Sequence, residues 1–106
     1  MGLVKKIFML TNQLRYDEKF GLKNQMVRSA ISIPSNIAEG SAKNSPLEFK
    51  RYLEMAMGSA FELETQLLIL ADLKLAHEKD IPPVLTELRE IQKMLNQFIT
   101  KLKANG

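Results

Sequence analysis

Residues 45–76 read SPLEFKRYLEMAMGSAFELETQLLILADLKLA, and this segment constrains how the rest of the chain can fold. Ser45 is a suitable N-cap, Pro46 suits the first helical position, and Glu48 can complete a capping box. The apolar residues that recur at alternating steps of four and three are Phe49, Leu53, Ala56, Ala60, Leu63, Leu67 and Leu70. This spacing predicts one helix of about 45 Å with a single apolar stripe. Because such a helix cannot bury its stripe alone, we expect other helices to lie along it.

Segments on both sides of the long helix have helical spacing as well. Residues 3–17 carry Ile7, Leu10 and Leu14 on one face, and the polar residues 16–21, which end at Gly21, predict a turn. After His77-Glu78-Lys79, Asp80 can cap a last helix. The apolar stripe of that last helix consists of Ile81, Val84, Leu88, Ile91, Leu95, Phe98 and Leu102.

A second helix is expected over about residues 22–42, with Pro34 in its interior. The apolar stripe keeps its phase from Ala30 to Ile37, which favours a kink at Pro34 over a break into two helices. The loops are short, which favours antiparallel neighbours. The sequence therefore predicts an all-α fold, an up-and-down antiparallel four-helix bundle with the second helix kinked at Pro34.

Composition places the chain among folded proteins of one domain, residues 1–106. Its 106 residues are 45% apolar and 25% charged, and it has no cysteine, which excludes disulfides and thiolate metal sites. No apolar run reaches transmembrane length, and the apolar run at residues 7–10 is too short for a signal peptide core. We expect a cytoplasmic protein with no membrane partner.

Two helices carry more apolar surface than one bundle needs. On the second helix, Val27 and Ile31 lie beside the core stripe, and on the long helix Met57 and Phe61 form a second apolar line. An extra apolar face predicts a further contact, for which another copy of the chain is the simplest partner. Gly58, on the side away from the core stripe, either permits close approach of that copy or is merely tolerated.

A polar arc lies on the second helix at Arg28, Ser32, Asn36 and Glu39, whose spacing stacks them on one side. One interpretation is a seam of hydrogen bonds and ion pairs to the next helix or subunit. The other is a site for a phosphate or a base edge, with Arg28 as the cation. Glu64 lies between two apolar lines and needs a partner, and Arg28 is the candidate.

Positive charge is concentrated in the first half of the chain. Residues 1–45 have a net charge of +4 and residues 46–106 of −1, which gives the total of +3. The candidate nucleic-acid-binding residues are Lys5, Lys6, Arg15, Lys19, Lys23, Arg28 and Lys43. A solvated lysine surface is the alternative explanation.

No residue pattern predicts an enzyme. His77 is the only histidine, so neither a histidine metal site nor the Glu-x-x-His pairs of a di-iron bundle can form. The glycines are isolated, which excludes a phosphate-binding loop. We expect no catalytic residue, no metal and no cofactor.

Two segments resemble a known family. They are QMVRSAISIPSNIAEGS, residues 25–41, and GSAFELETQL, residues 58–67. They are similar to the signature segments of bacterial four-helix bundle proteins encoded in 23S ribosomal RNA intervening sequences, and the resemblance covers roughly residues 20–103. Two features depart from the family pattern: Val27-Arg28 stands where paired arginines are common, and the basic and aromatic leader of the first helix is absent or altered.

The resemblance implies a ring-shaped homopentamer. It also implies kinship with the accessory protein of diversity-generating retroelements, a basic pentamer that binds nucleic acid and a reverse transcriptase. The expected function is therefore a non-enzymatic homo-oligomer that binds RNA or DNA, with a nucleic-acid-processing protein as a further candidate partner. The alternative is a structural or protein-interaction module without a nucleic-acid ligand. In either case the candidate assembly residues are Val27, Arg28, Ile31, Ser32, Pro34, Asn36, Glu39, Met57, Gly58, Phe61, Glu62 and Glu64.

Overall fold

Four α-helices form the protein in a computed structural model that describes residues 2–14 and 16–105, without the side chains of residues 16–20 and 105. The helices are α1 (Gly2–Thr11), α2 (Tyr16–Ser41), α3 (Pro46–Asp72) and α4 (Ile81–Asn105), with a short 3-10 turn at Glu78–Asp80 before α4. The bundle measures 46 × 21 × 19 Å. The predicted all-α four-helix bundle is confirmed.

The neighbours of each helix define a square. Helix α3 packs against α2 and α4, and α1 packs against the same two helices. Helices α1 and α3 therefore occupy opposite corners of the bundle. The buried core runs between them and includes Ile7, Met26, Leu53, Leu67 and Leu88.

Helix α3 begins as the sequence predicts and ends earlier. The Ser45 Oγ accepts a hydrogen bond from the Glu48 backbone amide at 3.1 Å, and Pro46 lies in the first turn. The end predicted near Ala76 is wrong, because α3 ends at Asp72 and Lys74 adopts a positive φ of 56°. The Leu75 amide donates to the Leu70 carbonyl at 3.0 Å across this left-handed residue, which is a Schellman motif.

The connection between α1 and α2 differs from the predicted one. Helix α1 stops at Thr11, whose buried Oγ1 donates to the Ile7 carbonyl at 2.8 Å, and α2 starts at Tyr16. The turn predicted at residues 16–21 is therefore wrong, and Gly21 lies inside α2. A polar stretch with one glycine opposes a helix by only about 1 kcal/mol, so it is weak evidence for a turn.

Helix α2 passes through Pro34 as a single element, so the alternative of two separate helices is wrong. The predicted kink stays a prediction.

The Gln13 side chain joins the loop that follows α1 to the segment that precedes α4. It donates to the Asp80 carboxylate at 2.9 Å and accepts from the His77 amide at 3.1 Å.

Candidate functional site

A polar seam joins α2 to α3, and it consists of Ser29, Ser32, Asn36, Ser59 and Glu62. The Ser29 Oγ donates to Glu62 Oε1 at 3.1 Å, and the Ser32 and Ser59 hydroxyls lie 2.8 Å apart. Asn36 Nδ2 donates to the Ser32 carbonyl at 2.8 Å and to its Oγ at 2.9 Å. Ser32 therefore hydrogen-bonds to the neighbouring helix α3, whereas both hydrogen bonds of Asn36 stay within α2.

Sequence reasoning missed two members of this seam. Ser29 and Ser59 each lie three positions from a member that was predicted, Ser32 and Glu62 respectively. A search for small polar residues at a spacing of three along both helices could have found them. The buried Gln66 also contacts the seam, since its Nε2 donates to Glu62 Oε1 at 3.4 Å.

The predicted pair of Arg28 and Glu64 is wrong within the chain. Glu64 accepts hydrogen bonds from Gln92 Nε2 at 2.9 Å and from Arg89 Nε at 3.1 Å, and both donors belong to α4. Successive helical residues turn by about 100°, so Glu62 faces α2 while Glu64 faces α4. Arg28 is exposed on α2.

The pKa of Glu64 is lowered by these donors. The Gln92 hydrogen bond contributes most, and the Arg89 hydrogen bond and charge add to it, while burial acts in the opposite direction. Glu64 is therefore held as a carboxylate by α4. Its role is to attach α3 to α4.

Gly58 and Gly40 have different surroundings in the bundle. Gly58 is exposed, and a Cβ added there meets no described atom within 4 Å, so α3 makes no close contact at this point within the chain. A Cβ at the buried Gly40 would instead lie 2.5 Å from Tyr52 Cβ and 3.0 Å from Phe49 Cδ1. Helices α2 and α3 therefore approach each other closely at Gly40. Glu39, the residue before it, is exposed.

The candidate cations spread along the bundle. Lys6 forms an ion pair with Glu87 at 2.6 Å, and Lys23 lies 4.4 Å from the centre of the Phe8 ring and donates to Asn12 at 2.6 Å. Lys43, at the opposite end of α2, lies 5.3 Å from the centre of the Tyr52 ring. Lys5 is exposed on α1. Arg15 and the Lys19 side chain lie outside the described residues.

Exposed apolar side chains form two faces at opposite corners of the bundle. Among the described residues, eleven large apolar side chains are exposed. Six of them lie within an arc of about 140° on the outer side of α3, with Gly58 near its centre. This α3 face consists of Leu47, Met55, Gly58, Phe61, Leu68, Ile69 and Leu73.

The other five surround α1, and this α1 face consists of Phe8, Met9, Ile31, Met94 and Phe98. Pro34 and Val4 make the face continuous, since they line the cavities on both sides of α1. Of the four residues predicted to carry excess apolar surface, Ile31 is 46% and Phe61 53% exposed. Val27 and Met57 are partly buried against the core instead.

Within the described part of the chain, no three His, Asp or Glu side chains gather into a group that could hold a metal ion. No helix in that part is long and apolar enough to cross a membrane. The features that stand out are the polar seam and the two apolar faces.

The fold defines an all-α bundle whose chemistry lies in helix–helix contacts, and comparison with known proteins gives its family. The sequence profile described as 23S rRNA-intervening sequence protein matches residues 1–97, so the chain belongs to that family. The chain is also similar to the crystal structure of a protein with unknown function from the S23 ribosomal protein family of Bacteroides thetaiotaomicron VPI-5482. That match has 26% identity and a TM-score of 0.85, and it covers 92% of each chain. No curated protein matches.

Proposed function

We propose that this protein is a non-enzymatic helical bundle that works as a homo-oligomer. The observation that supports this proposal is the segregation of the exposed apolar side chains into the α3 face and the α1 face. Scattered single apolar side chains are ordinary on a protein surface, whereas contiguous apolar patches are typical of interaction sites.

The energetic argument follows from exposure. Fully burying a large apolar side chain contributes about 1.5–3 kcal/mol, so one that is already half-buried contributes about 1 kcal/mol more when a partner covers it. Several such side chains on each face, acting together, offset much of the entropy lost on association. One patch suffices for a dimer, and two separate patches favour a larger assembly. A pentamer is the size that the family resemblance implies.

Light scattering coupled to size exclusion tests the proposal. The chain has a mass of 12.1 kDa, so a pentamer has a mass of about 60 kDa. The proposal expects a mass of several subunits at micromolar concentration. A folded species of one-subunit mass at every concentration up to the millimolar range contradicts it.

Nucleic-acid binding is a second proposal, carried by the positive first half and by the exposure of Arg28 and Lys5. Those candidate cations whose side chains the structure describes do not converge within one chain, but an oligomer repeats each of them around its symmetry axis. Binding to a short RNA or DNA should weaken steeply with salt, because phosphate contacts release counterions. The variant R28Q should lower affinity and reduce the salt slope, and the exposed α4 variant K93Q is the matched control. Salt-independent retention, or none at low salt, argues for the purely structural alternative.

A further inference from the structure

A shallow depression lies on the flank of α1, where α1 packs against α2. It has a volume of about 530 Å³, and its lining consists of Val4, Lys5, Phe8, Met9, Ile31 and Pro34. Phe8 and Ile31 are each 46% exposed and Met9 is 62% exposed, so an aromatic ring and two further apolar side chains are accessible there. We call this surface the α1–α2 depression, and it forms the α2 side of the α1 face.

Positive side chains border the α1–α2 depression. Lys5 is one of its lining residues, and Lys23 Nζ lies 4.4 Å from the centre of the Phe8 ring. Arg28 is exposed and precedes Ile31 by three residues, so these two side chains are neighbours on the outer side of α2. The described cations do not gather as a whole, but three of them lie around this one exposed ring.

Negative charge is sparse beside the α1–α2 depression. Helix α1 carries no acid, and Glu87 of α4 is paired with Lys6 at 2.6 Å. On α2, residues 17 and 18 are acidic but their side chains lie outside the described part of the chain, and Glu39 lies about 12 Å along the helix from Ile31. None of the described residues that line the depression is acidic. The local charge therefore attracts an anionic ligand.

The shape of this surface fits an unpaired strand better than a double helix or a protein helix. Unpaired bases stack on aromatic side chains while Lys and Arg contact the phosphates, whereas a double helix hides the faces of its bases. The apolar lining covers only residues 4–9 of α1, about 8 Å, which suits one flat base and not the several anchors of a docked helix. From Lys23 to Pro34, α2 extends over about 17 Å, the length of about five stacked nucleotides of one strand.

We propose that the α1–α2 depression binds single-stranded nucleic acid, with an unpaired base against Phe8 and with phosphates beside Lys5, Lys23 and Arg28. This inference rests on the proposed nucleic-acid binding and specifies its site and the class of its ligand. The strand occupies the α2 side of the α1 face and leaves the α4 side of that face for contact between copies.

Fluorescence anisotropy of the wild-type chain tests the class of ligand with three probes. They are a labelled DNA strand of about 12 nucleotides, the same strand in a duplex, and an abasic strand with the same phosphates. At physiological salt the single strand should bind at least about fivefold more tightly than either of the others, because only it offers free base faces. Equal or tighter binding of the duplex or of the abasic strand overturns this site but leaves nucleic-acid binding in place. No binding of any probe at low salt overturns the proposed nucleic-acid binding as well.

Substitutions at Phe8 test the contact with the base. Phe8→Leu keeps an apolar side chain but removes the flat ring, so it should weaken single-strand binding at least about fivefold, whereas Phe8→Trp keeps a ring and should retain the wild-type affinity. Phe98→Leu is the matched control, since Phe98 is also 46% exposed and belongs to α4. Wild-type affinity in F8L, or an equal loss in F8L and F98L, contradicts the proposal. If F8L alone has a lower mass in light scattering, the depression is a subunit contact and the strand site is wrong.

The charge of Lys5 gives an independent measurement. Each phosphate contact to a single strand contributes about 0.7 to the slope of log affinity against log salt, so K5Q should reduce that slope by about this amount. The control K93Q, at an exposed position of α4, should keep the wild-type slope. Equal slopes for K5Q and K93Q remove Lys5 from the proposed site.

Photo-crosslinking of the wild-type chain locates the strand directly. On irradiation, a strand that carries 5-iodouracil attaches to an aromatic or thioether side chain that contacts the base. Trypsin releases residues 7–15, IFMLTNQLR, as one peptide that contains Phe8 and Met9, and we expect the crosslink in this peptide. Crosslinks confined to other peptides, such as residues 52–74 with Phe61, place the strand elsewhere and overturn the proposal.

Discussion

At the residue scale, Gly40 shows why a small residue is needed where two helices meet. It is buried in the last turns of α2, opposite Phe49 and Tyr52 in the first turns of α3. The structure places it inside the helix, where the absence of a Cβ lets α2 approach α3.

Replacing Gly40 by alanine should therefore destabilise the protein. The new Cβ would lie 2.5 Å from Tyr52 Cβ, an atom next to the backbone that cannot move without shifting α3. We expect G40A to lower the free energy of unfolding by about 1–3 kcal/mol in urea denaturation. The control G21A should raise it by about 0.5–1 kcal/mol, because Gly21 lies in α2 and a Cβ there meets no described atom within 4 Å. Equal effects of the two substitutions contradict this account of Gly40.

Glu64 gives a prediction that depends on pH. Its pKa is lowered in the folded state by Gln92 and then by Arg89, so its stabilising effect is present above the unfolded pKa of about 4.3 and is lost as the pH falls through the folded pKa. E64Q should cost about 0.5–1 kcal/mol at pH 7, and the difference from wild type should shrink below about pH 4.5.

Urea denaturation between pH 7 and pH 3 measures this difference. The control E90Q removes the exposed carboxylate that follows Arg89 in α4, and it should change stability by less than about 0.5 kcal/mol. A cost of E64Q that stays constant across the range would show that the loss of charge is not its cause.

At the element scale, the two ends of α3 differ in how they could be predicted. Ser45, Pro46 and Glu48 are a start signal that depends on local chemistry, and the structure has that start. The end uses Lys74 at φ 56°, where glycine is the usual residue. Because no glycine or proline marks this position, the apolar pattern through Leu75 and Ala76 extends the predicted helix too far. The turn predicted at residues 16–21 is wrong for a related reason, because polarity alone does not end a helix.

The variant K74G should stabilise the end of α3. A lysine in the left-handed region costs about 1 kcal/mol, and glycine adopts that conformation freely. We expect K74G to raise the free energy of unfolding by about 0.5–1 kcal/mol. The control K93G, in the interior of α4, should lower it by about 1 kcal/mol. A loss of stability in K74G would be inconsistent with the Schellman motif.

At the scale of the whole molecule, the bundle could be predicted from the sequence because the spacing of apolar residues in each helix depends only on residues nearby in the sequence. For the same reason the sequence placed Ser32 and Asn36 on one side of α2, where Ser32 bonds to Ser59 and Asn36 bonds to Ser32. It paired Glu64 with the wrong helix, because the choice between Arg28 and Arg89 depends on how four helices are arranged. It also identified Ile31 and Phe61 as excess apolar surface without showing that they lie on opposite faces.

Native mass spectrometry of the wild-type chain is the most direct test of self-assembly through the two faces. The account predicts one closed species with a single whole number of 12.1 kDa subunits, and this number should not rise with protein concentration. A folded monomer throughout, or a mixture of sizes that grows with concentration, would contradict a closed ring built from these faces.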